Sequence, residues 1–77
     1  MSEKIAELEN KIITITNCSE DDIKYIRKQI RFYFINSRRD VDLNQVYYLM
    51  DKIYKRIWER GETIFQAVQE VLYPCTI

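Results

Sequence analysis

The stretch SEDDIKYIRKQIRFYF, residues 19–34, decides the fold, because it opens with a helix cap and continues with one apolar stripe. Ser19 followed by Asp22 matches a capping box, and the carboxylates of the first turn suit the positive end of a helix dipole. Consecutive residues of an α-helix are about 100° apart, which puts five apolar side chains within a sector of roughly 100°. We therefore expect a helix over about 20–36 that buries Ile23, Ile26, Ile30, Tyr33 and Phe34.

A first helix is expected over about residues 2–15, with Ser2 as its cap. Its apolar stripe follows 3-4-3 spacing. The β-branched run IITIT (12–16) would also suit an extended exit. Since no partner strand is evident, we favour a helix that frays near residues 14–17. The stripe consists of Ile5, Leu8, Ile12 and Ile15.

Two further helices, over about 42–60 and 63–73, are delimited by their caps, and glycine and proline each occur only once. No repeat or flexible linker divides the chain. We predict an all-α fold in one domain, residues 1–77: a small antiparallel bundle of about four helices. The residues that mark the ends of the last two helices are Asp42 with Gln45, Gly61, Thr63 with Gln66, and Pro74.

The last two helices are apolar over more of their circumference than a 77-residue monomer readily buries. In the third helix, a core stripe of Leu43, Val46, Met50, Ile53 and Ile57 is widened to about 180° by Tyr47, Leu49, Tyr54 and Trp58. We expect this helix to be central and the bundle to be completed by homodimerisation. The candidate core or dimer interface consists of Ile26, Ile30, Tyr47, Met50, Ile53, Tyr54, Ile57 and Trp58.

Charge is unevenly distributed although the chain is neutral overall. Residues 1–22 hold six acids and two lysines, residues 23–41 six bases and one acid, and residues 42–77 five acids and four bases. The bases of the second helix form one flank, beside two aromatic residues that point nearly opposite to the core and would be exposed in a monomer. This candidate partner or nucleic-acid surface consists of Lys24, Tyr25, Arg27, Lys28, Arg31, Phe32, Arg38 and Arg39.

The residues that catalysis usually needs are scarce. The chain has no histidine, and its two cysteines, Cys18 and Cys75, are 57 positions apart, so no zinc site is indicated. The single glycine builds no phosphate loop, and the serines and threonines have no base to activate them. We expect no enzymatic activity, no cofactor, no metal and no small-molecule substrate.

The N-terminal sequence lacks the basic start and apolar stretch of a signal peptide, and no run approaches the ~18 apolar residues of a membrane span. These features predict a cytoplasmic protein with reduced thiols that does not bind membranes, although a Cys18–Cys75 cross-link is an alternative. Small helical proteins of this kind are common among phage, viral and plasmid accessory proteins, and such an origin would imply the host-cell cytoplasm.

The stretch IAELENKIITI (5–15) resembles the first helix of the helical chorismate mutases, which are intertwined α-helical dimers. In that family, an arginine of this helix holds a substrate carboxylate. Here Glu7 and Glu9 flank the apolar positions, and no later pattern of arginine and glutamate restores the site. The resemblance covers these eleven residues and does not assign the family.

Two functional hypotheses follow. The first is a small protein-interaction module, an adaptor or regulator, that binds itself and an unidentified protein. The alternative is a nucleic-acid-binding protein that uses the basic face of the second helix and a helix-turn-helix-like segment over 20–60. In that alternative, Asn44, Gln45 and Tyr48 lie near the start of the reading helix, while Asp40 and Asp42 would face phosphates unfavourably.

Overall fold

The computed structural model describes residues 3–74, which fold into four α-helices. These are α1 (Glu3–Thr16), α2 (Glu20–Asn36), α3 (Leu43–Arg60) and α4 (Ile64–Leu72). Residues 3–74 contain no strand, so the prediction of an all-α fold is confirmed. The predicted cap at Ser2 and the cross-link to Cys75 lie outside the described residues.

The predicted caps of α2 and α4 are confirmed as reciprocal capping boxes. The Ser19 backbone N–H donates to the Asp22 carboxylate (2.9 Å), and the Asp22 N–H donates to the Ser19 hydroxyl (3.2 Å). At α4, the equivalent bonds join Thr63 and Gln66 at 3.1 and 3.2 Å. Gly61 ends α3 in the left-handed conformation, with φ of 65°, as predicted.

One local prediction was confirmed and another was wrong. The IITIT run is helical, as favoured, and α1 ends at Thr16 within the predicted range of 14–17; the Thr14 and Thr16 hydroxyls donate to backbone carbonyls four residues earlier. Asp42 caps α3 by accepting a bond from the Asn44 N–H (2.9 Å). Gln45 does not reach back to complete a box there.

Helix α3 is central, as predicted from its wide apolar arc. Both α2 and α3 contact all three other helices, but the contacts of α3 with α1 and α4 are the most extensive, and α1 and α4 do not contact one another within residues 3–74. The molecule is flattened, with extents of 35 × 33 × 18 Å. Its buried apolar side chains form one core: Ile5, Leu8, Ile12, Cys18, Ile23, Ile26, Ile30, Phe34, Leu49, Met50, Ile53, Ala67, Val68 and Leu72.

Two residues of the predicted core stripes are exposed instead. Ile15 is 41% exposed and Leu43 is 51% exposed. Each lies at the end of its helix, Ile15 one residue before the end of α1 and Leu43 at the first position of α3. Helical periodicity places a side chain on a face but does not say how far the neighbouring helix extends to cover it.

Candidate functional site

Among the charged side chains of residues 3–74, Glu9 is the one that is buried, and it pairs with an arginine of the next helix. The Arg27 Nε atom donates to Glu9 Oε2 (2.5 Å), and its Nη2 atom donates to Oε1 (2.6 Å). These hydrogen bonds raise the pKa of the Arg27 guanidinium above its ordinary value. The bidentate pair fixes α1 against α2 and neutralises the carboxylate locally.

The pair engages the guanidinium of Arg27 within the chain, although the sequence had suggested this residue for a partner-binding surface; its side chain remains 49% exposed. A signal for the pair was present in the sequence. Glu9 lies four residues from both Ile5 and Ile13, so it falls within the buried arc of α1. A charged residue in such a position requires a partner of opposite charge.

An apolar pocket of about 190 Å³ lies beside this pair, between α1, α2 and the start of α3. Its floor consists of buried core side chains, while Val41 and Leu43 on its rim are 59% and 51% exposed. Helical periodicity does not predict the pocket, because its lining residues come from α1, α2, the connection at Val41 and α3. The apolar residues that line it are Ile5, Ile30, Phe34, Val41, Leu43, Val46 and Met50.

A basic strip, defined here as Lys24, Lys28 and Arg31, continues from the pocket along the outer face of α2. None of the three forms an ion pair within the described part of the chain. With Arg27 and Phe32 they line one groove, and Lys28 Nζ lies 5.7 Å from the centre of the Phe32 ring. Arg31 lines both this groove and the apolar pocket, so the two surfaces are continuous.

The prediction that Tyr25 lies exposed beside Phe32 was wrong. The Tyr25 ring is half-buried and packs on Phe65 of α4, with their centres 5.1 Å apart. The helical projection treated α2 as having one buried face, whereas α4 covers a second flank. Phe32 is exposed as predicted.

Arg38 and Arg39 lie in the connection between α2 and α3 and are exposed. Their backbone N–H groups donate to carbonyls of the last turn of α2, and Arg38 adopts a positive φ of 54°. The basic groove is lined by residues of α2 alone. Five of the predicted surface residues therefore line one groove: Lys24, Arg27, Lys28, Arg31 and Phe32. Tyr25, Arg38 and Arg39 lie elsewhere.

The predicted dimer-interface residues divide into two groups. Four of them are at most 2% exposed within a single chain and belong to its core: Ile26, Ile30, Met50 and Ile53. Ile57 and Tyr54 are half-buried. Tyr47 and Trp58 are 37% and 57% exposed, so they remain available for contact with another molecule.

Tyr47, Tyr54 and Trp58 form an aromatic stripe on α3, because their positions lie within about 40° of one another around the helix axis. Tyr47 and Tyr54 line a groove of about 280 Å³ against α1. The charged residues of this groove are of both signs. They are Lys4, Glu7, Lys11 and Asp51.

At the opposite side of α3, charged residues hold the turn into α4. Arg56 donates to Glu62 at 3.0 Å and lies 3.9 Å from Glu70. These ion pairs link Arg56 near the end of α3 to Glu62 in the turn and to Glu70 of α4. Residues 3–74 contain no group of three or more acidic or cysteine side chains placed to hold a metal ion.

The same residues include no helix long and apolar enough to cross a membrane. Comparisons with protein-family models, with curated proteins and with solved structures found no match to this chain.

Proposed function

We propose that the chain is a small protein-interaction module, an adaptor or regulator without catalytic activity, that acts as a homodimer. The observation that carries this proposal is the aromatic stripe on α3. Tyr and Trp are common at protein interfaces because their rings provide a large apolar contact area, while the Tyr O–H or Trp N–H can hydrogen-bond to water in the free protein. Trp58 is more than half exposed on the most central helix of the bundle.

A second copy of the chain is the occupant that suits this stripe. The groove beside it holds two lysines and two acids, Lys4 and Lys11 with Glu7 and Asp51. In an interface related by a two-fold axis, one patch meets an identical patch, so mixed charges of equal number complement themselves. A patch of one sign would repel its own copy.

The proposal includes an antiparallel order of sequential helices. Tyr25 near the start of α2 packs on Phe65 near the start of α4, and Tyr33 near the end of α2 approaches Tyr73 just after α4. This order of contacts supports α2 and α4 running in the same direction. Alternating up and down helices with short connections would produce that relation.

Nucleic-acid binding is the second candidate, and the basic strip favours it. The helix-turn-helix version of this candidate has weaker support. Arg27 faces α1, Tyr25 faces α4, and the buried isoleucines of α2 face the core that α3 shares. Arg27 and Tyr25 are therefore engaged within the chain, and Asp40 and Asp42 precede the start of α3, where they would repel phosphates.

The homodimer is tested by light scattering on a size-exclusion column at several protein concentrations. We expect about twice the chain mass of 9.4 kDa. The double substitution Tyr47→Ser/Trp58→Ser should give a folded monomer by circular dichroism. Tyr48→Ser is the matched control, because Tyr48 is 53% exposed on α3 but lies about 100° from Tyr47.

A wild-type monomer at all concentrations would contradict the proposed dimer. So would a dimer that both the double substitution and the Tyr48 control leave intact, since the contact would then lie on another face.

A further inference from the structure

We propose that the apolar pocket and the basic strip together form a docking site for an acidic, amphipathic helical segment of another protein. This inference rests on the proposed role as a protein-interaction module and specifies its partner. The site lies apart from the aromatic stripe, because the apolar pocket and the groove beside Tyr47 share no lining residue.

The apolar pocket supplies the anchor of this site. Its volume of about 190 Å³ lies below the ~300–1,000 Å³ typical of small-molecule sites and suits the insertion of one or two apolar side chains. Exposed Val41 and Leu43 form the rim, and Ile30, Phe34 and Met50 lie beneath it. An amphipathic helix places such anchors at i, i+3 or i+4 in a groove of this kind.

The basic strip determines the charge of the partner. Lys24, Lys28 and Arg31 are spaced at i, i+4 and i+7, so they extend over roughly 10 Å of α2. The nearby carboxylate of Glu9 is already neutralised by Arg27. Carboxylates at matching intervals on a partner helix would meet three cations that have no acidic partner within residues 3–74.

The combination favours a protein segment over a nucleic acid. Phosphate contacts require positive charge but make no use of an aliphatic pocket. The strip is also short, and acids lie near both of its ends: Glu20 and Asp21 precede it, and Asp40 follows α2. A duplex extending past either end would meet these carboxylates, which repel its phosphates.

The test uses the full chain and three labelled probes, with binding followed by fluorescence anisotropy. The first probe is a 14-residue helical peptide with leucines along one face and glutamates elsewhere. The second replaces every glutamate with lysine, and the third is a 20-nucleotide oligothymidylate. We expect the glutamate peptide to bind with a Kd on the order of 10 µM and the lysine peptide not to bind. Binding should weaken with salt, because the charged contacts are exposed.

Two sets of substitutions address the two halves of the site. Lys28→Glu/Arg31→Glu reverses the strip, and Val41→Ser/Leu43→Ser makes the rim of the pocket polar. Each double substitution should raise the Kd for the glutamate peptide at least about tenfold. The control Lys52→Glu/Arg60→Glu makes the same change of charge on α3 and should leave the affinity unchanged. Circular dichroism establishes that all three variants are folded.

The inference is overturned if the glutamate peptide does not bind at ~1 mM, or if its binding is insensitive to Val41→Ser/Leu43→Ser. It is also overturned if the oligothymidylate binds more tightly through the strip alone, since the site would then be a nucleic-acid surface. Light scattering on the same samples separates this result from the proposed function. A dimer that fails to bind the peptide contradicts only the docking site, and a monomer that binds it contradicts only the dimer.

Discussion

Replacing Arg27 with methionine removes the partner of a carboxylate whose side chain is only 8% exposed, and we expect it to destabilise the fold. Methionine retains a long unbranched apolar side chain, so the main loss is the pair of hydrogen bonds to Glu9. The reverse change, Glu9→Met, leaves an arginine whose side chain is 49% exposed. Water can solvate that guanidinium, so the two substitutions should have unequal effects.

The magnitude follows from this difference in exposure. Leaving a buried polar group without a partner costs ~1–3 kcal/mol, and we expect about 2 kcal/mol for Arg27→Met. An unfolding entropy of about 2.1 cal/mol/K per residue converts this to a fall in Tm of ~12 °C for a chain of this length. Glu9→Met should cost less than about 1 kcal/mol. The double variant should lie within about 1 kcal/mol of wild type, because no charge is then left buried alone.

The assay is urea and thermal unfolding followed by circular dichroism, at one fixed protein concentration, because self-association would make Tm depend on concentration. The four proteins of the double-substitution cycle give a coupling free energy, which should be about 2 kcal/mol. Arg31→Met is the matched control, since Arg31 is an exposed arginine of the same flank with no ion pair in the described residues. It should change stability by less than about 0.5 kcal/mol.

Equal destabilisation by Glu9→Met and Arg27→Met would refute the argument from exposure. A coupling free energy below about 0.5 kcal/mol would refute the pair itself as a contributor to stability.

Two further predictions concern the core and the end of α3. Ile53→Ala should destabilise the fold by about 2–5 kcal/mol in urea unfolding, because Ile53 is 0% exposed. The control Ile35→Ala, at a residue that is 59% exposed, should change stability by less than about 0.5 kcal/mol. Equal effects of the two substitutions would contradict the assigned core. Gly61→Ala should lower the free energy of unfolding by about 1 kcal/mol, because φ is 65° at this residue, although a Cβ would have open space. Gly61→Asn should lower it less in the same thermal-unfolding measurement. The reverse order would exclude backbone strain as the cause.

The ends of the helices were predictable from the sequence because their determinants are local. Ser19 and Asp22, or Thr63 and Gln66, are three positions apart, so the chain brings their donors and acceptors together as soon as the first turn forms. The stop at Gly61 depends on the backbone of one residue. The core stripe of α2 was equally accessible, since it requires only the helical period.

The candidate site was less predictable because it depends on which helices are neighbours. The residues of the basic strip all lie on α2, so the helical period was sufficient to predict that they share one face. Tyr25 was misplaced because α4, about forty residues later in the chain, covers its flank of α2. The apolar pocket combines α1, α2 and the start of α3, and periodicity within any one helix does not indicate that its residues converge.

The sequence by itself determined where this chain is helical and which face of α2 is apolar, because hydrogen bonds and side-chain spacing within a few residues decide both. Only the tertiary structure decided that Arg27 belongs to Glu9, that Tyr47 and Trp58 stay exposed while Met50 and Ile53 do not, and that a pocket opens beside the basic strip. Burial depends on the position and length of neighbouring helices, and these are set by packing between residues far apart in the chain.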